Sequence, residues 1–213
     1  MADEVDHSTL LTTLTTEHFT LQGARGSTVA ESSARAGMYL GTLSASLVSL
    51  GFIAQLSAHD ETFRVFALVV LPTVYLLGVF TFVRLVESSV EDIFYGRAIN
   101  RIRSYYLEQA GPERRWFMLS GHDDALGVLR NMGLTPARRQ MYFTAASAIA
   151  VVNSVVGGSA VGIACWVAFG AGLAVAAITG AVFAVLSIAA LFRWSRRRLE
   201  AGVASDVLFP SLP

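Results

Sequence analysis

Long uncharged apolar blocks dominate the pattern of hydrophobic and polar positions along the chain. Residues 36–57 and 141–192 carry no charge, and residues 63–86 carry only Arg64 and Arg84, close to their two ends. A bilayer hydrocarbon core about 30 Å thick is crossed by roughly 20 apolar helical residues. Because long arginine side chains can reach the interfaces from the ends of a span, the first two blocks each predict one span.

The third block is too long for a single helix. Its glycine-rich stretch at 169–172 is the natural break, which gives a third span over 141–168 and a fourth over 171–192. The predicted fold is therefore all-α: an integral membrane four-helix protein with a helical cytoplasmic extension. Pro72 lies inside the second span, where neighbouring helices can accommodate a kink.

The placement of arginine predicts the orientation of the spans. The two segments that join spans one and two, and three and four, contain no arginine. The segment between spans two and three holds Arg97, Arg101, Arg103, Arg114, Arg115, Arg130, Arg138 and Arg139. Arg193, Arg196, Arg197 and Arg198 follow span four. The arginine-rich side is expected to be cytoplasmic, which predicts a multi-pass protein of the bacterial inner (plasma) membrane with both termini inside.

Five segments follow from these boundaries. They are a cytoplasmic leader helix (1–35), spans one and two (36–86), a cytoplasmic helical cap (87–140), the hairpin of spans three and four (141–192), and a basic cytoplasmic tail (193–213). The leader lacks a basic start, so no signal peptide is expected, and an interfacial or partly disordered leader is the alternative to a helix.

The cap begins with a predicted helical stalk that continues from span two to Gly111-Pro112. Its apolar positions recur at three- and four-residue spacing, which favours one apolar helix face; they are Val90, Phe94, Ala98, Ile102 and Tyr105. Short helical pieces are expected over 113–119 and 123–131, and Thr135-Pro136 is expected to cap the entry into span three.

Composition supports a membrane protein and argues against nucleic acid as a partner. The chain is 54% hydrophobic and 15% charged, where a soluble domain carries about 25% charged residues. Its net charge is zero, so it has no overall basic field. Cys165 is the only cysteine, which excludes an intrachain disulfide.

The chain shows no motif for catalysis, a metal or a cofactor. It has no phosphate loop, no HExxH and no paired CxxC, and its spans contain no histidine or acid that could activate a nucleophile. His122, Asp123 and Asp124 are adjacent and cannot all face one ion on a helix. Asp123 is therefore expected to be a helix cap, and the protein is predicted not to be an enzyme.

Small residues at four-residue spacing in the spans are candidates for helix packing or for a pore. Such faces let helices approach closely in a bilayer, either within one four-helix bundle or between copies. Asn153 is the only amide deep in span three, and it would bond a neighbouring helix or form a polar constriction in an oligomer. The candidate residues are Gly37, Gly41, Ala45, Ser49, Asn153, Gly158, Gly162 and Gly180.

The cytoplasmic arginines and their aromatic neighbours are candidates for a ligand or partner site. Guanidinium groups bind phosphate and aromatic faces stack bases, so a small nucleotide or a cytosolic protein is a candidate partner. The positive-inside rule with interfacial aromatics explains the same residues without a ligand. They are Arg97, Arg101, Arg103, Tyr105, Arg114 and Arg115.

Residues 21–55 and 72–92 resemble an uncharacterised group of actinobacterial four-span membrane proteins. The layout of leader helix, paired spans and helical extension also resembles SLATT-type proteins and the transmembrane effectors of cyclic-pyrimidine (Pycsar) anti-phage systems. Some Pycsar effectors carry a basic or Asp-Lys pair before span one, and Ser33-Ala34-Arg35 stands there in this chain. The resemblance therefore carries over no binding residues.

Two functions are compatible with these features. The first is an oligomeric membrane protein, a pore- or channel-like effector gated through its cytoplasmic helices. The second is a membrane scaffold or accessory protein that recruits a cytosolic partner. A small transporter is disfavoured, because the two span pairs show no internal repeat and no charged residue lies at the midplane.

Overall fold

The computed structural model describes residues 6–56, 60–134, 144–203 and 207–211. Within these residues the chain is all-helical and has no strand. The helices are α1 (His7–Leu56), α2 (Asp60–Ala110), α3 (Ala125–Asn131), α4 (Ala145–Phe169) and α5 (Leu173–Val203), with a 3-10 helix at Gly111–Trp116 after α2. The predicted all-α fold is confirmed.

Four of these helices, α1, α2, α4 and α5, are long and apolar enough to cross a membrane. The break between α4 and α5 is where the sequence predicts it, because α4 ends at Phe169 and Gly170 adopts a left-handed conformation with φ 60°. The predicted start of span three at 141 lies outside the described residues, and α4 begins at Ala145. Extended Thr144 precedes α4 and caps it by accepting a hydrogen bond from the Ser147 amide. The predicted cap at Thr135-Pro136 lies outside the described residues.

The chain divides into two compact units. The span unit consists of Ser32–Glu87 and Tyr142–Arg198; the polar unit consists of Met1–Glu31, Ser88–Met141 and Leu199–Pro213. Helices α1, α2 and α5 each contribute residues to both units. The stalk is confirmed, since α2 runs unbroken past Pro72 to Ala110. Helix α5 continues past the predicted end of span four at 192.

Within the span unit, α4 and α5 pack through their backbones. A Cβ atom added to Gly158 would lie 2.5 Å from the Gly180 carbonyl oxygen, and one added to Gly162 would lie 2.9 Å from the Ala176 carbonyl oxygen. Glycine at these positions permits this approach, which is the way small residues associate helices in a bilayer.

The predicted apolar face of the stalk is buried at Ile102 but exposed at Phe94, and polar residues outside that face are buried as well. Phe94 is 60% exposed, while Arg97 and Asn100 are 5% and 3% exposed. The reason is that other parts of the polar unit cover the stalk on more than one side. Two contacts show this: the Arg25 Nε lies 2.7 Å from Asp92, and Val128 of α3 packs on Gly96.

Candidate functional site: a buried carboxylate that holds the C-terminal segment

The Asp123 carboxylate is the most elaborate polar site in the described residues. It is fully buried, and Arg101 donates to its Oδ2 atom from Nε at 2.9 Å and from Nη2 at 2.7 Å. The backbone amides of Leu208 and Phe209 donate to its Oδ1 atom at 3.1 and 2.8 Å. The Asp123 amide in turn donates to the Phe209 carbonyl at 3.1 Å. The C-terminal segment 207–211 is thus held at Asp123.

Asp123 takes this position because the loop before α3 lies directly on α2. A Cβ atom added to Gly121 would lie 2.8 Å from the Cα of Ser104, so only glycine allows the loop to come this close. Arg97 Nε then donates to the Asp123 carbonyl at 2.7 Å, and Asn100 Nδ2 donates to the His122 carbonyl at 2.8 Å. These two buried α2 side chains fix the loop backbone, which orients the carboxylate.

Asp124 serves a second part of the same segment. Its Oδ1 atom accepts from the Gly127 amide at 2.6 Å and so caps α3. Its Oδ2 atom accepts from the amide of Ser211 at 2.9 Å and also from the Ser211 hydroxyl. The expectation that Asp123 is the helix cap is therefore wrong. Asp124 is the residue directly before α3, and the Asp123 side chain is directed to Arg101 and the C-terminal segment instead.

The electrostatics of the site favour two ionised carboxylates. Burial alone would raise the pKa of Asp123, but the hydrogen bonds from Phe209, Arg101 and Leu208 outweigh it and hold the pKa below its usual value. Burial would likewise raise the pKa of Asp124, but the hydrogen bonds from Ser211 and Gly127 outweigh this effect and lower the pKa. Hydrogen bonds to the charged form stabilise that form. The C-terminal segment therefore binds two negative charges.

The other candidate ligand or partner residues make different contacts. Arg103 donates to the Asn100 side-chain oxygen at 2.8 Å, and the Tyr105 hydroxyl lies 3.2 Å from His7 Nδ1. Arg114 and Arg115 lie in the exposed 3-10 helix, where Arg115 contacts Glu113 at 3.3 Å. Of the six residues, the structure brings Arg97 and Arg101 together at Asp123, and their guanidinium groups bind protein oxygens there.

A second polar cluster connects all four helices of the span unit. Asn153 is fully buried; its Oδ1 atom accepts from the Tyr39 hydroxyl at 3.1 Å and its Nδ2 atom donates to the Tyr75 carbonyl at 3.0 Å. The Tyr75 hydroxyl lies 3.0 Å from Ser187 Oγ, which accepts from Ser154 at 3.0 Å. Asn153 thus bonds its neighbouring helices and is enclosed within one chain.

The small residues fall into two groups. Gly158, Gly162 and Gly180 lie between α4 and α5, as described above. Gly37, Gly41, Ala45 and Ser49 are exposed, and a Cβ atom on Gly37 or Gly41 would meet none of the described residues of other elements within 4 Å. At 100° per residue these four positions lie opposite the buried α1 residues Tyr39, Leu43 and Leu50. The four residues are called the α1 stripe below.

Comparison with known proteins assigns no family. No family model, curated protein or solved structure matches the chain. The site must therefore be interpreted from its own geometry, and the described residues contain no group of histidine, cysteine and acidic side chains arranged to hold a metal ion.

Sequence reasoning did not find the binding of segment 207–211. Its carboxylate contacts use backbone amides, except for the Ser211 hydroxyl, so no residue pattern in the segment marks it. One signal was available: two adjacent acids occur in a cap otherwise rich in arginine, and a buried acid requires compensating donors.

Proposed function

We propose that this chain is an oligomeric multi-span protein of the bacterial inner membrane, with both termini cytoplasmic, that forms a pore- or channel-like effector. In this proposal the polar unit is the cytoplasmic part and controls the pore. The arginine excess of the polar segments supports the orientation.

The α1 stripe is the observation that carries the proposal. It presents four small residues on the side of α1 that faces away from its own bundle, and among the described residues of other elements none lies within 4 Å of a Cβ atom added to Gly37 or Gly41. Small residues at this spacing associate helices in a bilayer. The interior of the span unit is filled by buried side chains such as Tyr39, Phe82 and Asn153. A conducting path would therefore lie between copies.

Control from the cytoplasm would act through α1 and α2. Both helices continue without a break between the segments they contribute to the two units. The C-terminal segment is held on α2 through Asp123, Arg97 and Arg101, so its binding or release would bias the position of α2. Rigid-body movement of helices is an established means of such switching. The resemblance to transmembrane anti-phage effectors extends the proposal to a defence role.

The experiment combines assembly and conductance. Gly41→Leu enlarges the α1 stripe without a clash inside the chain, and Thr42→Leu is a matched control at the next, exposed position outside the stripe. Native mass spectrometry is expected to show an oligomer for the wild type and Thr42→Leu, and a monomer for Gly41→Leu. Planar-bilayer recording of purified protein is expected to show conductance only for the oligomers. A monomeric wild type, or an oligomer that never conducts, would contradict the proposal.

A specific surface favours a scaffold as the second candidate function. In the polar unit, four consecutive apolar residues, Trp116 to Leu119, are exposed. Trp116 is 75% exposed and Met118 is 97% exposed. A contiguous exposed apolar patch of this kind marks a site for a partner. Crosslinking in cells is expected to trap one stable cytosolic protein in the wild type and to lose it in Met118→Ser. Absence of any trapped protein would contradict the scaffold function.

A further inference from the structure

An apolar groove runs along the outward side of the α4–α5 hairpin. Its volume is about 620 Å³, and its floor is formed by the small residues that bring the two helices together, including Gly158, Gly162 and Gly180. Larger side chains line it beside that floor, among them Val155 and Trp166. The groove exists because glycine contributes no side chain where the two backbones meet.

The described lining offers an occupant's polar atoms only two hydrogen-bonding side chains, those of Trp166 and Ser159. Its only hydroxyl belongs to Ser159, which already donates to the Val155 carbonyl at 3.0 Å. Both helices that form the groove are long and apolar enough to span a membrane, so its surroundings are hydrocarbon. A polar solute would lose most of its hydration there with little compensation. The chemistry selects a hydrocarbon chain.

The length of the groove distinguishes a lipid from a second protein helix. From Val155 to Trp166, at about 1.5 Å per residue, it extends about 17 Å along α4. A leaflet is half of the roughly 30 Å hydrocarbon core, about 15 Å, whereas a spanning helix needs the full thickness. The groove therefore matches an acyl chain in one leaflet.

A cationic group lies at the end of the groove nearest the α4–α5 turn. The Arg64 guanidinium carbon is 4.4 Å from the centre of the Trp166 ring, and Trp166 itself lines the groove. Tryptophan favours the membrane interface, which is where lipid phosphates lie. Arginine is suited to phosphate because its planar guanidinium group presents several donors in a fixed geometry. Charge complementarity thus places a phosphate beside Arg64 when a chain occupies the groove.

We propose that the groove is a phospholipid-binding site, in which an acyl chain lies on the Gly158–Gly180 floor and the lipid phosphate lies at Arg64. The lipid belongs to the leaflet on the side of the α4–α5 turn. This site does not depend on whether the assembled protein conducts ions.

The test measures phosphatidylglycerol bound to the full-length protein by native mass spectrometry after purification in mild detergent. Ala181→Phe adds a ring inside the groove at an exposed position, and Ala174→Phe adds the same ring on α5 outside the groove. We expect the wild type and Ala174→Phe to retain one phosphatidylglycerol per chain. Ala181→Phe is expected to retain about tenfold less, and Arg64→Gln is expected to lose its preference for phosphatidylglycerol over phosphatidylcholine.

A measurement of thermal stability is the control. Thermal unfolding in detergent must give the same midpoint for Ala181→Phe and Ala174→Phe, so that loss of the lipid cannot be attributed to unfolding. Equal lipid retention by Ala181→Phe and Ala174→Phe would overturn the proposal. So would a change of oligomeric state in Ala181→Phe with unchanged lipid retention, because a second copy would then be the occupant.

Discussion

Replacing Asp123 by asparagine changes the binding of segment 207–211 with almost no change in volume. The amides of Leu208 and Phe209 both donate to the carboxylate, and Arg101 donates to it twice. An asparagine side chain offers one acceptor oxygen without charge, and its NH₂ group faces other donors. At least one donor to Asp123 therefore loses its acceptor, and the remaining hydrogen bonds no longer have a negatively charged acceptor.

The magnitude follows from the two amide bonds. A hydrogen bond to a charged group contributes about 1.5–3 kcal/mol, and a neutral one contributes about 1 kcal/mol. Exchanging two of the first kind for one of the second leaves a loss of about 3 kcal/mol, within a range of about 2–5 kcal/mol. The Arg101 side chain is partly exposed, so solvent screens its share and we add nothing for it. Because 1.4 kcal/mol is a factor of ten, the segment should open about 100-fold more often.

Hydrogen exchange of the C-terminal peptide measures this opening directly, since protected amides exchange through local unfolding. We expect the Leu208 and Phe209 amides to exchange about 100-fold faster in Asp123→Asn than in the wild type. Asp92→Asn is the matched control, because Asp92 pairs with Arg25 in the same unit and does not contact the segment. Exchange within twofold of the wild type in Asp123→Asn, or equal acceleration in Asp92→Asn, would refute the assignment of the carboxylate as the holding group.

Three further predictions test the same contacts and the packing of the spans. The pKa of Asp123 is lower when the segment is bound than when it is free, so the ionised carboxylate stabilises the bound segment fully above about pH 3.9, and this stabilisation is lost as the pH falls through the lower bound-state pKa. Protection of the Phe209 amide from hydrogen exchange should therefore persist from pH 7 to 5 and disappear on further acidification. Loss of protection between pH 7 and 6 would contradict this. Asn153→Ala should lower the free energy of unfolding in detergent by about 1–3 kcal/mol, because it breaks two interhelical hydrogen bonds and leaves a cavity. Ser159→Ala in the same helix is the control and should leave the stability unchanged, so equal stability of the two variants would exclude a structural role for the Asn153 amide. Gly158→Val should prevent the α4–α5 contact, since the new Cβ would lie 2.5 Å from the Gly180 carbonyl oxygen. A thermal-stability assay is expected to show loss of the folded protein, whereas a normal melting curve would show that the two helices can separate.

The sequence was sufficient for the spans because the membrane constrains length and composition so strongly. Apolar blocks of the required length predicted all four helices that are long and apolar enough to cross a membrane, and Gly170 and Gly111 end helices where glycine-containing breaks were expected. The burial of Arg97 was not predictable in the same way. Helical periodicity assumes that one face is covered, but the stalk is contacted from several sides.

The site depends on contacts that are distant in the chain and use backbone atoms. Asp123 meets the amide of Phe209, and such a contact leaves no signature in either segment. The small residues were candidates for helix packing or for a pore, but spacing alone does not say which side a helix presents. Gly158 and Gly41 occur in similar patterns. A Cβ atom added to Gly158 would meet a carbonyl of the next helix, whereas one added to Gly41 would meet no described residue of another element within 4 Å. Only the tertiary structure separates them.

The two polar clusters differ in charge, and this difference decides what each can do. The span unit joins its four helices through neutral groups, Asn153, Tyr39 and Ser187 among them, because an ionised side chain in hydrocarbon would carry a large desolvation cost. The polar unit can bury an ionised Asp123 because Arg101 and backbone amides compensate it. Neither cluster titrates near neutrality, but a carboxylate that holds a peptide by its amides can lose that peptide to competing donors. We therefore expect release of the C-terminal segment to depend on Asp123, and substitutions at Asn153 to change the stability of the bundle.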